Sequence, residues 1–333
     1  MNPKLKKVLK IVLVIFVVLL IAYFLGPKPA TPKLKQLSFN LPNELSLLED
    51  KINTEENATK GIRHGCEAKI VWADTIRKEK TKFAFLYIHG FGASQMEADP
   101  IHRNLAKRYS ANLYLSRLAG HGVDLGDTTM ATVTGDDFVN SVEYALAISK
   151  LLGEEVVVLS NSFGGALSCY LASKHPEINA LVLYSPNIKS YDDDAEIFTK
   201  PWGLKMVTLL SGSPIFEYTP FNSEYAKYWT THYDLNGLAE FQNFLIHTMK
   251  KETFEKIKCP VFMGYWYKNE TEKDTAASIP AMMKMFDELG SINKQKIAFQ
   301  NVANHEMTTP ILSKDVETVQ KETEKFLDEI LKR

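Results

Sequence analysis

Glu155-Val-Val-Val-Leu-Ser-Asn-Ser162-Phe-Gly-Gly-Ala-Leu167 is the stretch that decides how this chain is read. Residues 156–159 are an apolar run of the kind a strand buried on both faces requires. Ser160, Asn161 and Ser162 make a small polar corner, and Gly164, Gly165 and Ala166 open a helix with apolar periodicity through Leu167, Tyr170 and Leu171. Strand, sharp corner at a serine, helix start: this is the setting of a nucleophile elbow. The corner tolerates only small neighbours, and the two glycines let the helix approach the strand without a Cβ clash. Such a corner lifts the Ser162 hydroxyl above the sheet edge and aims the first free N–H groups of the helix at the same spot. Ser160 stands where the pattern Gly-x-Ser-x-Gly has its first glycine, a departure by the least bulky polar substitute.

Outward from the elbow, strands and helices alternate. Residues 83–88 form a continuous apolar run ending in His89-Gly90-Phe91-Gly92, and 112–116 a shorter run followed by Gly120-His121-Gly122. Residues 68–72 read as a strand whose charges suggest a sheet edge. Thr134-Gly-Asp-Asp137 caps an amphipathic helix over 138–152. Buried strands are expected over 179–184, 260–267 and 296–299, with helices over 99–108, 279–289 and 313–331. This alternation implies βαβ units and a mostly parallel sheet. Residues 185–256 break the rhythm: they are rich in aromatics, show no strand alternation, and read as a helical insertion over the strand ends.

The 333 residues are 45% hydrophobic and 24% charged with formal net charge −1, an ordinary globular composition. Near-neutral charge argues against nucleic acid as a partner, because phosphate binding needs a concentrated basic face. Cys66, Cys169 and Cys259 are odd in number and widely spaced, so neither a disulfide framework nor a metal site follows from them. At the N-terminus, Lys4, Lys6, Lys7 and Lys10 precede the unbroken apolar run 11–25, and Gly26-Pro27 ends it. Its length suits a membrane-spanning helix, and Gly-Pro-Lys-Pro-Ala makes a poor cleavage site for a signal peptide. The basic flank puts the N-terminus in the cytoplasm and the bulk of the chain on the periplasmic or extracellular side. The expected segments are therefore an anchor over 1–26, a proline-rich linker over 27–60, a core over 61–190, a helical lid over 191–256, and the rest of the core over 257–333.

The order of these pieces resembles the α/β-hydrolase family, closest to its monoacylglycerol-lipase and carboxylesterase-like branch, over about residues 63–333. The resemblance implies a mostly parallel central sheet flanked by helices, with a lid insertion, and the apolar run places one N-terminal transmembrane helix ahead of it. It also implies a catalytic order of serine, acid, histidine. Ser162 fills the first position. His305, in a short loop after the last strand, is the expected base. Asp274 is the expected acid, with Glu270 and Glu272 in the same loop as alternatives and Asp192, Asp193 or Asp194 as the family's minority placement. The backbone N–H groups of Phe91 and Phe163 are the expected oxyanion donors. His89 and His121 are expected to support loop geometry. The implied chemistry is acyl transfer from an ester to water, with no metal or organic cofactor, on apolar or lipid-like esters. A peptidase, a thioesterase or acyltransferase, and a non-catalytic binding protein of the same fold are the competing readings.

Overall fold

The structure, a computed structural model, describes residues 2–35 and 37–331. Met1, Gln36, Lys332 and Arg333, which belong to the expected segments 1–26, 27–60 and 257–333, lie outside the described residues. In chain order the strands are β1 (Lys69–Val71), β2 (Thr81–Ile88), β3 (Asn112–Leu115), β4 (Gly153–Asn161), β5 (Ile178–Tyr184), β6 (Ile215–Glu217), β7 (His232–Asp234), β8 (Val261–Trp266) and β9 (Lys294–Phe299). Seven of them make one sheet in the order β1-β3-β2-β4-β5-β8-β9. β1 is antiparallel to β3, and every other pairing in this sheet is parallel. β1 thus lies at an edge, where its one charged residue, Lys69, keeps access to water.

The helices are α1 (Pro3–Phe24), α2 (Leu45–Ala58), α3 (Ile101–Arg108), α4 (Gly135–Leu152), α5 (Ser162–Lys174), α6 (Gly203–Ser211), α7 (Ser223–Tyr228), α8 (Asn236–Thr248), α9 (Lys251–Phe254), α10 (Ile279–Glu288) and α11 (Val316–Leu331). Because side chains alternate across a strand, the apolar runs feed two cores. Ala84, Leu86, Ile88, Val156 and Val158 pack with Phe138 and Val142 of α4 and Leu167 of α5. Phe85, Tyr87, Val157 and Leu159 pack with Ile101 and Leu105 of α3 and Phe326 and Leu327 of α11. Thr134 and Asp137 form a reciprocal capping box at the start of α4.

Two features differ from the sequence expectation. Residues 27–60 do not hang as a free linker. The N–H groups of Lys33 and Leu34 donate to the Asp136 carboxylate at 3.0 and 2.7 Å, and Asn243 Nδ2 donates to the Ala30 carbonyl at 2.7 Å. Downstream, α2 buries Leu48 and Ile52 in the main core, and its Glu56 meets the Arg117 guanidinium at 2.8 Å. The prolines keep the strap extended, and its amides find acceptors far along the chain. Second, the lid is not wholly helical: β6 and β7 pair antiparallel, with Phe216 opposite Tyr233. Strands of three residues carry too little alternation to register in a sequence. The lid is tied to the sheet edge by Thr230 N–H donating to the Gly92 carbonyl at 2.6 Å and by Arg63 Nη1 donating to the Trp229 carbonyl at 2.8 Å.

α1 stands apart from both cores. It is 22 residues long, its most apolar 18-residue window reaches a mean hydropathy of 2.7, and none of it is buried, so it is long and apolar enough to cross a membrane.

Candidate active site

Four loops leave the carboxyl ends of parallel strands and meet under the lid, at the place where open α/β sheets bind ligands. β2 leads to His89-Gly90-Phe91-Gly92, β4 to Ser162, β8 to the loop holding Asp274, and β9 to the loop holding His305.

Ser162 sits at the junction of β4 and α5 with φ +49°, a left-handed conformation that a residue with a side chain adopts at a cost. The surroundings impose it. A Cβ at Gly164 would come 2.3 Å from the Ile88 carbonyl oxygen, and one at Gly165 would come 2.6 Å from Pro186 Cβ. Both contacts are forbidden, so only glycine lets α5 press against β2 and β5. Ser160, by contrast, fits where the usual pattern has glycine: it is fully buried and its Oγ lies 3.4 Å from the Val182 carbonyl oxygen.

Asp274 and His305 form a direct pair, with His305 Nδ1 2.6 Å from Asp274 Oδ2. The other carboxylate oxygen of Asp274 accepts the N–H groups of Ala276 and Ala277 at 2.9 and 3.0 Å. Burial disfavours the Asp274 charge, but the His305 charge and these hydrogen bonds outweigh it and hold the carboxyl below its ordinary range. Burial likewise disfavours the imidazolium, and the Asp274 charge outweighs that too, raising His305 above the ordinary histidine range. With Nδ1 engaged, Nε2 is the ring nitrogen available to a hydroxyl. Ser162 and His305 line the same cavity of about 300 Å³, together with Phe91, Phe198, Phe241 and Tyr218.

The alternatives for the acid lie elsewhere. Glu270 pairs with Lys273 at 2.6 Å and accepts from the Tyr267 hydroxyl, Glu272 pairs with Lys268 at 2.8 Å, and both carboxylates are exposed. Asp192, Asp193 and Asp194 are exposed at the start of a 3-10 turn of the lid, Asp193–Thr199.

Phe163 follows Ser162 in the first turn of α5, where backbone N–H groups have no partner within the helix. Its ring anchors the turn, packed edge-on against Phe138 and Phe241 with centroids 5.1 and 4.8 Å away. Phe91 packs edge-on against Phe163, with ring centroids 6.2 Å apart, and its loop is held from both sides. Gly90 N–H donates to Glu97 Oε2 at 2.6 Å, and a Cβ at Gly90 would sit 3.0 Å from Ser162 Cβ. His89 is buried and neutral, its pKa lowered to about 4 by burial, and its Nε2 accepts the Leu118 N–H at 3.1 Å. His121 is likewise buried, with its pKa lowered to about 3, mainly by burial. Both histidines brace loops.

Sequence reasoning missed the polar network beneath these loops. Glu97 is buried, and burial raises its carboxyl to about 8. Besides Gly90 it meets the Tyr87 hydroxyl at 3.3 Å, and its carbonyl accepts from Thr308 Oγ1 at 2.6 Å. Thr308 Oγ1 in turn accepts from Asn161 Nδ2 at 2.7 Å. The network therefore ties the loop of Phe91, the residue before Ser162 and the loop of His305 to one another. Asn187 Oδ1 is buried without a hydrogen-bond partner at the wall of the same cavity, and Glu306 lines it as well. Nothing in the local pattern marks these residues, because their partners are distant in sequence. Among the described residues, no three His, Cys, Asp or Glu side chains gather into a metal-holding group.

Comparison with known proteins agrees with this architecture. The family described as "alpha/beta hydrolase fold" matches residues 84–213. A thermostable monoacylglycerol lipase from Bacillus sp. (strain H-257) is 33% identical over 110 residues, covering 33% of this chain. The chain spans 43% of the length of that curated relative. Among solved structures, one from work on the metagenome-derived lipolytic enzymes LipS and LipT superposes with TM-score 0.64 at 16% identity, covering 80% of this chain and 99% of the other. A soluble variant of the monoglyceride lipase of Saccharomyces cerevisiae superposes with TM-score 0.56 at 17% identity over 91% of this chain and 99% of its own.

Proposed function

We infer that this chain, which has the α/β-hydrolase fold, cleaves carboxylic esters through an acyl-enzyme on Ser162. The observation that carries the reading is the 2.6 Å contact between the buried Asp274 and Nδ1 of His305, whose ring lines the same cavity as Ser162. In this reading Ser162 Oγ attacks the ester carbonyl as His305 Nε2 takes its proton. The carbonyl oxygen becomes an oxyanion, stabilised by the N–H groups of Phe91 and Phe163, and each such donor contributes on the order of 10²–10³ in rate. The tetrahedral intermediate collapses, His305 returns the proton to the leaving alcohol, and Ser162 keeps the acyl group. Water then attacks the acyl carbonyl, losing its proton to His305, and the second tetrahedral intermediate collapses to release the acid as His305 returns that proton to Ser162 Oγ. Asp274 stays ionised throughout and holds the imidazole with Nδ1–H toward itself.

The aromatic and aliphatic walls, Phe91, Phe198, Leu238 and Phe241, suit an apolar acyl group or a lipid-like ester. α1 serves as a membrane anchor, with the hydrolase on the exported side. The relative named as a monoacylglycerol lipase and the lipolytic and esterase structures of the same fold lean the same way. The test is hydrolysis of p-nitrophenyl esters of increasing chain length, beside aminoacyl amides. Ester turnover that rises with chain length and disappears in Ser162→Ala is expected. Amide cleavage without ester cleavage would replace the reading with a peptidase.

A further inference from the structure

The end of α1 is not free: it is docked on the lid. Trp202 Nε1–H donates to the carbonyl of Ala22 at 3.0 Å, and Trp202 N–H donates to the carbonyl of Pro27 at 2.8 Å. Ala22 lies in the last turn of α1, where carbonyls lack partners within the helix. Gly26 makes the contact possible, since a Cβ there would come 2.0 Å from the indole nitrogen. Trp202 immediately precedes α6, and α6 presents Leu209 and Leu210, 82% and 81% exposed, with Met206 half exposed. A soluble surface seldom carries adjacent leucines this bare at the foot of an apolar helix. Lys28 follows α1, and Lys205 lies 5.6 Å from the Trp202 ring. An indole with neighbouring lysines at the end of an apolar helix is the arrangement of a membrane–water interface.

We propose that α6 docks into the bilayer that α1 crosses, with Leu209, Leu210 and Met206 in the acyl region and Trp202 at headgroup depth. This rests on reading α1 as a membrane anchor. The occupant is lipid rather than protein because the patch is continuous with the span: the apolar part of α1, Val8 to Phe24 with Lys10 able to snorkel, reaches about 26 Å, close to the hydrocarbon thickness, and ends at Trp202. The docking also sets where substrate enters. The 3-10 turn Asp193–Thr199 packs on α6 and puts Ala195 and Phe198 into the wall of the Ser162 cavity. An amphiphile leaving the bilayer beside α6 meets that wall without crossing bulk water.

The experiment uses the full chain in phosphatidylcholine vesicles carrying dibrominated acyl chains, with half-buried Cys259 replaced by serine; Cys66 and Cys169 are buried. An environment-sensitive fluorophore is placed at Leu210→Cys, at Leu13→Cys within α1, or at Ile292→Cys, a fully exposed site before β9. The expected result is strong quenching at 13 and 210 and none at 292. Quenching at 13 without quenching at 210 overturns the docking and leaves the anchor standing. No quenching at 13 overturns the anchor and the docking with it. Disulfide dimers of Leu210→Cys in place of lipid quenching would make the patch a contact between two copies, which also overturns the proposal. If the ester reading holds, Leu209→Ser with Leu210→Ser lowers turnover of a vesicle-borne long-chain ester at least tenfold. Turnover of soluble p-nitrophenyl acetate stays unchanged, whereas equal losses on both substrates overturn the entry route.

Discussion

Asp274→Asn separates the account from its alternatives most sharply. The two carboxylate oxygens do different jobs: Oδ1 accepts two backbone N–H groups and Oδ2 faces His305. Asparagine can keep Oδ1 and its two hydrogen bonds, so the loop should hold its shape. What changes is the group facing the imidazole. A neutral amide removes a charge about 4 Å from the centre of the forming imidazolium, about 4 kcal/mol at an effective dielectric near 20. That alone corresponds to roughly three orders of magnitude in rate. The amide can also donate to Nδ1, moving the imidazole proton to Nε2, where it blocks acceptance from Ser162. Together the expected loss in kcat is about 10³–10⁴, the scale seen for this change in serine triads. The pH profile should move as well. Neutral imidazole is the reactive form, so kcat/KM climbs as pH rises through the His305 pKa. Asp274 raises that pKa against the effect of burial, so removing its charge shifts the climb to lower pH. The assay is p-nitrophenyl butyrate hydrolysis from pH 5 to 10, with circular dichroism to verify folding. Near-normal turnover in a folded Asp274→Asn, or a comparable collapse in Glu270→Gln or Glu272→Gln, would refute the reasoning.

Other substitutions probe the scaffold. Gly164→Ala should destabilise the fold by about 1–3 kcal/mol and abolish ester turnover, since the new Cβ meets rigid backbone at Ile88; thermal unfolding and activity together check it. Ser160→Gly, which restores the usual elbow pattern, should keep turnover within a few fold, because the hydroxyl makes only a long hydrogen bond; a collapse in activity would mean the serine has a further role. Glu97→Ala strips the acceptor from Gly90 N–H, at about 1–3 kcal/mol for a buried group left unpaired, whereas Tyr87 OH keeps Asn161 Oδ1 as an acceptor at 3.3 Å. It should lower kcat more than it alters KM, because the loop of Phe91 loses its support while the apolar walls at Phe198, Leu238 and Phe241 remain.

What could be read in advance follows the range of the interactions. The elbow was legible because a buried strand, a serine corner and paired glycines are neighbours in sequence, and the mostly parallel sheet follows from the alternation of strands and helices. The choice among Glu270, Glu272 and Asp274 was not decided by pattern, because three carboxylates in one loop look alike until burial separates them. Asp274 is fully buried against His305, while the two glutamates pair with lysines in solvent. Glu97, Asn161 and Thr308 escaped notice because their hydrogen bonds join loops far apart in the chain. The strap over 27–34 escaped for the same reason, since its amides find Asp136 only after α4 has packed.

The most direct measurement is covalent capture of the nucleophile. The full chain is treated with a fluorophosphonate probe at pH 8, digested, and mapped by mass spectrometry. The account predicts one adduct per chain, on Ser162, absent in Ser162→Ala and strongly slowed in Asp274→Asn. A folded protein that takes up no probe, or takes it at another serine, would contradict it.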